Sequence, residues 1–181
     1  MAAELSLLTP DFRKQLIKAI ANAKAQRLII EVLSTVVPPF EQAALWKQGR
    51  TRTDAELKVL ALENAKAPYL ADCMRLAQPL GTNIVTDILP GMSWHQWGEA
   101  ASIVWVDGTS KLNWSSKFQR GGFNGYHAFA NIVNEFSIVS CGEFEDTDEA
   151  WRDVQLRHER HPSDVFDIVQ IDAEMKKRFD R

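Results

Sequence analysis

The sequence predicts an α+β domain. Three observations carry this: helical periodicity dominates the chain up to Pro79, strand and hairpin signals begin near Ile84, and no internal repeat, low-complexity segment or Gly/Ser linker divides the two regions. With 181 residues, 45% of them hydrophobic and 25% charged, the chain is long enough to bury one core and carries at most a terminal extension beyond it. The expected boundary lies after Arg157, giving a domain over 1–157 and a charged extension over 158–181.

Each element has a local cause. Thr9-Pro10-Asp11 is a helix start, with Thr9 as N-cap and Pro10 at the first helical position. Phe12, Leu16, Ile17, Ile20 and Ala23 then recur at helical spacing, while Arg13, Lys14, Lys18 and Lys24 lie off that face. The β-branched run Leu28–Leu33 reads as a buried strand, ended by Pro38-Pro39. A second helix runs from Phe40 through Trp46 to a stop at Gly49, Asp54 caps a third, and Pro68 opens a fourth that runs to Pro79. Strand character returns near Ile84. Ile103–Val106 and Leu112–Trp114 flank Asp107-Gly108, a hairpin signal. Gly121-Gly122 marks a loop and Gly125–Phe136 a helix, with Ile138-Val139 and Val154–Leu156 as short late strands. From His158 onward the chain reads as a frayed helix or a tail.

Composition excludes several functions. Twenty-one Lys+Arg against 24 Asp+Glu leave a net charge of −3, which predicts neither a nucleic-acid partner nor a polybasic membrane anchor. No apolar run approaches the roughly 20 residues that span a bilayer, and no basic segment followed by an apolar one opens the chain. A cytoplasmic product is therefore expected, and a cell-wall target would be reached by release or virion association. Cys73 and Cys141 form no C-x-x-C pair and read as free thiols. Metal chemistry has four histidines to draw on: His95, His127, His158 and His161.

The segment Pro90-Gly91-Met92-Ser93-Trp94-His95-Gln96-Trp97-Gly98-Glu99-Ala100 is the most informative. Ser93, His95, Gly98 and Ala100 match S-x-H-x-x-G-x-A-x-D, and the segment resembles the zinc peptidases of peptidoglycan stem peptides. That family comprises D-alanyl-D-alanine carboxypeptidases, dipeptidases and L-alanyl-D-glutamate endopeptidases. Glu41–Thr51 is similar to the family's EQ-x-x-LW-x-QGRT segment, and Gly125–Phe129 and Val154–Arg157 extend the match over residues 9 to 157. The resemblance implies a Hedgehog/DD-peptidase-like fold: a small antiparallel sheet flanked by helices.

It also implies zinc held by His, Asp and His with an open position for water, and a carboxylate base three residues before the second His. Arg50 and Ser93 fall on the substrate side. His95 takes the first ligand position. The second holds Ser102 in place of Asp, and a neutral hydroxyl is a poor zinc donor. With Trp151 and Val154–Leu156 setting the register, Asp153 stands at the second ligand His and Ala150 at the base. His95 with Asp153 makes a degenerate site, so zinc is expected to bind weakly or not at all.

Plainer readings stand beside these. His95 reads equally as a histidine packed between Trp94 and Trp97, and His158-x-x-His161 as solvated surface. His127 reads as structural or exposed, Cys141 as a buried thiol or a soft ligand, and Glu143–Glu149 as a solvated acidic loop. Two functions follow from the resemblance. One is an inactive relative that binds a peptide or cell-wall fragment or serves a structural or regulatory role. The other is an active, endolysin-like zinc peptidase using substitute ligands. The partner in either case is a stem peptide or other peptide.

Overall fold

A computed structural model of the protein describes residues 3–180. In chain order the elements are α1 (Pro10–Ala25), β1 (Ile29–Ser34), α2 (Pro39–Lys47), α3 (Arg52–Asn64), α4 (Pro68–Leu76), β2 (Ala100–Val106), β3 (Leu112–Asn113), α5 (Gly125–Asn134), β4 (Val139–Ser140), α6 (Asp148–Trp151), β5 (Asp153–Gln155) and α7 (Ile168–Phe179). This is the expected α+β architecture, with a small antiparallel sheet flanked by helices. Its contacts gather into two compact units: residues 3–36 with 98–160, and residues 37–97 with 161–180.

All five strands belong to the first unit, and every pairing is antiparallel. β2 is the centre: β1 runs along one edge, while β5 and β3 share the other. Side chains alternate between the faces of a strand, so Ala101, Ile103 and Trp105 of β2, Ile30 of β1 and Val154 of β5 share a face. They bury against Phe12, Leu16, Ala19 and Ala23 of α1 and Phe129, Ile132 and Val133 of α5. This is the core that the period-2 and period-3.6 patterns foreshadow. The hairpin forms around Asp107, whose Oδ1 accepts from the Thr109 N–H at 2.8 Å and the Lys111 N–H at 3.1 Å.

The second unit is helical. α4 packs against α2, α3 and α7 and buries Leu70, Ala71, Cys73 and Met74. Residues after His158, read in the sequence as a charged end, include an ordered helix: α7 buries Ile171 and Met175, one turn apart, and turns Lys176 and Lys177 outward. α4 has no capping side chain of its own, because Ala67 precedes Pro68. Asp172 of α7 supplies one from a distance, its buried Oδ1 accepting the Leu70 N–H at 2.8 Å. Removing that carboxylate strands a buried helix-end N–H, which costs about 1–3 kcal/mol. Urea denaturation should show a loss of that size for Asp172→Ala, and a smaller one for Asp172→Asn, whose amide oxygen can still accept.

Three local expectations change. No strand forms at Ile84; residues 77–89 contain no regular element, and Ile84 and Val85 are exposed. Proline at 79 and 90 removes ladder donors at both ends of this stretch, and its backbone instead lies on Gly49. A Cβ on Gly49 would sit 2.5 Å from the Ile84 nitrogen, and its φ of +69° also favours glycine. The α3 cap is Thr51, not Asp54. Thr51 Oγ1 accepts from the Asp54 N–H at 3.1 Å and Asp54 Oδ2 accepts from the Thr51 N–H at 3.0 Å, a reciprocal capping box. Within the acidic run, Thr147 caps a short helix, α6, where a solvated loop was expected.

Candidate functional site

The β2–β5 register sets Ser102 directly opposite Asp153, and the β1–β2 register sets Ser34 opposite Ser102. Both strands turn their apolar neighbours, Ala101, Ile103 and Val154, into the core, so these polar residues form a row on the other face. Ser102 Oγ donates to Asp153 Oδ1 at 2.6 Å. Two residues along β5 on the same face, Gln155 donates from Nε2 to the carbonyls of Arg157 at 2.7 Å and Glu159 at 2.8 Å. Its Oε1 accepts from the Cys141 thiol at 3.3 Å. Burial pushes the Cys141 thiol well above its ordinary value, the nearby Asp153 charge adds to this, and Arg160 partly offsets it. The thiol proton is the one donated to Gln155.

Ala150 lies in α6, three residues before Asp153, and its N–H goes to Thr147 Oγ1 at 3.2 Å. The next residue, Trp151, donates from Nε1 to Asp146 at 2.7 Å and lies 4.2 Å from the His127 ring. His127 is thus exposed, with one side of its ring against Trp151. The two carboxylates that could replace a base at Ala150 are engaged elsewhere. Glu149 pairs with Arg152 at 3.1 Å. Asp148 Oδ1 accepts from the Ser116 N–H and hydroxyl, each at 2.6 Å, and from Ser115 Oγ at 3.3 Å.

Those bonds, Ser116's first, hold the Asp148 carboxyl below the usual range, and similar turn bonds do the same for Asp107 and Asp54. A group with a depressed folded-state pKa contributes stability above its unfolded value, about pH 4, that is lost as pH falls through the folded value. The urea midpoint of the native protein should therefore drop below about pH 4. The gap between native protein and Asp148→Ala should be widest at neutral pH and narrow near pH 3; an unchanged gap would remove the electrostatic account.

The remaining predicted residues belong to the second unit. Ser93 and His95 sit in a tight turn, with the His95 N–H donating to Ser93 Oγ at 3.3 Å. Around them Trp94 and Trp97 meet edge to face at 5.6 Å, and Trp97 stacks on Phe166 at 4.8 Å. Trp97 Nε1 donates to the Gly91 carbonyl at 3.0 Å. Gln96 is fully buried, and neither its Oε1 nor its Nε2 has a partner among the described residues. Arg50, 10% exposed, lies over the Trp46 ring at 4.1 Å and donates to the Trp46 carbonyl and to Asp87. With Trp46, Leu57 and Ile84 it lines a cleft of about 490 Å³.

The structure thus brings Ser102 and Asp153 into direct contact in one unit, and Ser93 and His95 into one turn of the other. The row-mates Ser34 and Gln155 escaped sequence reasoning: alternation from Asp153 could have flagged Gln155, but Ser34 reaches the row only through the irregularity in β1 between Val32 and Ser34. The donors on this sheet face are a neutral hydroxyl, a carboxylate already accepting from it, an amide and a protonated thiol. They do not make the His–Asp–His set of a hydrolytic zinc. Among the described residues no three His, Cys, Asp or Glu side chains gather as a metal site.

No protein-family model and no curated protein matches the chain. Among solved structures it is similar to a mutant of a vancomycin-resistance D,D-pentapeptidase, VanY, from a VanB-type resistance cassette, in complex with Zn(II). The identity is 15% and the TM-score 0.43, over 94% of this chain and 78% of that one. It is also similar to VanYB in complex with D-alanine-D-alanine, at 14% identity and TM-score 0.43, over 94% and 77% of the two chains.

Proposed function

We propose that this protein is a relative of the zinc peptidoglycan peptidases that has lost the family's hydrolytic centre and binds a stem peptide or other cell-wall fragment. The reading rests on one observation above the others: Ser102 and Asp153, which fall where the family pattern has two zinc ligands, satisfy each other by a 2.6 Å hydrogen bond. A metal that activates water needs anionic or imidazole donors to hold it and a base to take the proton. Here the hydroxyl brings no charge, the carboxylate is the only anionic group of the pair, and Ala150 has no titratable group. Groups that act as a unit fail together, so the combined loss should reduce hydrolysis by many orders of magnitude.

Peptide binding asks less of the chain. Arg50 holds a guanidinium against Trp46 in a cleft lined by both apolar and charged side chains, where a peptide carboxylate would compete with the exposed Asp87 for it. The test combines zinc titration by calorimetry with a stem pentapeptide ending in D-alanyl-D-alanine. The expected result is no stoichiometric tight zinc, no release of D-alanine, and peptide binding that Arg50→Gln weakens. One tightly bound zinc, abolished by His95→Ala and accompanied by turnover, would overturn the proposal in favour of an active peptidase with substitute ligands.

A further inference from the structure

Seven consecutive residues, Lys117–Phe123, are all exposed, between a buried Ser116 and a buried Asn124. The two ends are tied together. Asn124 donates from Nδ2 to the Ser116 carbonyl, and Asp148 Oδ1 accepts from both the N–H and the hydroxyl of Ser116 at 2.6 Å. Within the loop, the backbones of Arg120 and Phe123 exchange two hydrogen bonds, of 2.9 and 3.0 Å, across Gly121-Gly122. A compact surface loop closed at its neck in this way is frequently functional.

The chemistry it presents is narrow. Phe118 and Phe123 are 39% and 48% accessible, and their rings lie 5.6 and 5.9 Å from that of Trp105, so one buried indole positions both. Between and beside them in the sequence stand Lys117 and Arg120. Neither cation has an ion pair within 4.0 Å among the described residues. No Asp or Glu occurs from Gly108 to Asn134. The acids that do lie near are engaged. Asp107, close to Arg120, accepts from Thr109 and Lys111, and Asp148, close to Lys117, accepts from Ser116. In the acidic run that contains Asp148, Glu145 pairs with Arg160 and Glu149 with Arg152.

We propose that this loop docks the protein on the surface of an anionic lipid bilayer. Phe118 and Phe123 enter the zone beneath the headgroups, while Lys117 and Arg120 stay level with the lipid phosphates. Charge complementarity selects this occupant, because the loop offers apolar rings and unpaired cations without a single carboxylate. A nucleic-acid strand is the poorer fit: it would meet only two loop cations, and the acidic run Glu143–Glu149 of the same unit would repel it. The net charge of −3 argues against a polybasic anchor for the chain as a whole, yet leaves a loop of this local composition free to make a weak, reversible attachment. The proposal does not depend on the peptide reading above.

Co-sedimentation of the full chain with vesicles of equal parts phosphatidylglycerol and phosphatidylcholine tests it, against vesicles of phosphatidylcholine alone. The native protein should partition onto the mixed vesicles and leave them as salt is raised. Lys117→Gln with Arg120→Gln should lower the partition coefficient by roughly thirtyfold, at about fivefold for each cation near an anionic surface. Phe118→Ser with Phe123→Ser should lower it as well, whereas Lys176→Gln with Lys177→Gln, the same charge loss on α7, should leave it unchanged. The Lys117 and Arg120 pair decides the matter if the Phe pair fails to fold. Absence of binding to the mixed vesicles, equal binding to phosphatidylcholine, an unchanged partition for the folded Lys117 and Arg120 pair, or an equal loss from the α7 pair overturns the proposal. So does displacement from the vesicles by an oligothymidylate, which would assign the loop to nucleic acid.

Discussion

Replacing Ser102 with Asp and Asp153 with His should raise zinc affinity by about a hundredfold or more, since structural zinc sites gain roughly 10–16 kcal/mol from four ligands and so several kcal/mol from each. The two positions face each other across adjacent strands, and neither is fully buried, so a longer side chain can enter without displacing the core. The exchange also removes the hydroxyl-to-carboxylate bond that now occupies both residues. Competition calorimetry against a chelator measures the gain. If affinity does not rise, Ser102 and Asp153 do not correspond to the family's ligands, and the proposed descent from a zinc centre falls with them.

Trp105→Ala should be the most damaging substitution in the first unit, costing about 3–5 kcal/mol. The indole is buried on β2, pairs across strands with Ile30 and Asn113, and meets Phe118, Phe123 and Tyr126. It also fills the space that any side chain at the start of α5 would need, since a Cβ on Gly125 would lie 2.1 Å from its Cδ2. Gly125→Ala should therefore destabilise by overpacking where Trp105→Ala does so by leaving a void. Chemical denaturation of Trp105→Leu, Gly125→Ala and the double variant should give a non-additive cycle, with the double variant more stable than the sum of the singles predicts. Additive losses would mean that the two positions do not share that space.

Elements with strong local chemistry were legible in the sequence. Pro10 and Pro68 at first helical positions, the apolar run after Leu28 and the Asp107-Gly108 turn each act within a few residues, and each element forms where the pattern puts it. What escaped depends on partners far away. Ile84 and Val85 have strand-like side chains but no neighbouring strand, and Pro79 and Pro90 bracket them. The α7 helix carried a readable signal, the Asp167 and Gln170 capping box, but its charged residues masked Ile171 and Met175. For the candidate site, Ser102 and Asp153 are linked in the sequence only through the family resemblance, and the strand register is what brings them into contact. Cys141 and Gln155 join them through pairing between β4 and β5, which no local signal encodes.

The Asp172 cap ties the second unit to the order of synthesis. Leu70 and the carboxylate that satisfies its N–H are 102 residues apart. At a ribosomal rate of about 5–20 residues per second, α4 is complete for several seconds before its partner exists. In that interval Leu70, Cys73 and Met74, the face that α4 buries, lack α7 as a neighbour. A chain terminated before Ile168 never leaves that state. It would carry an open apolar helix face and an uncapped helix end permanently, so a nascent or truncated form that lacks α7 becomes a client for chaperones or proteases.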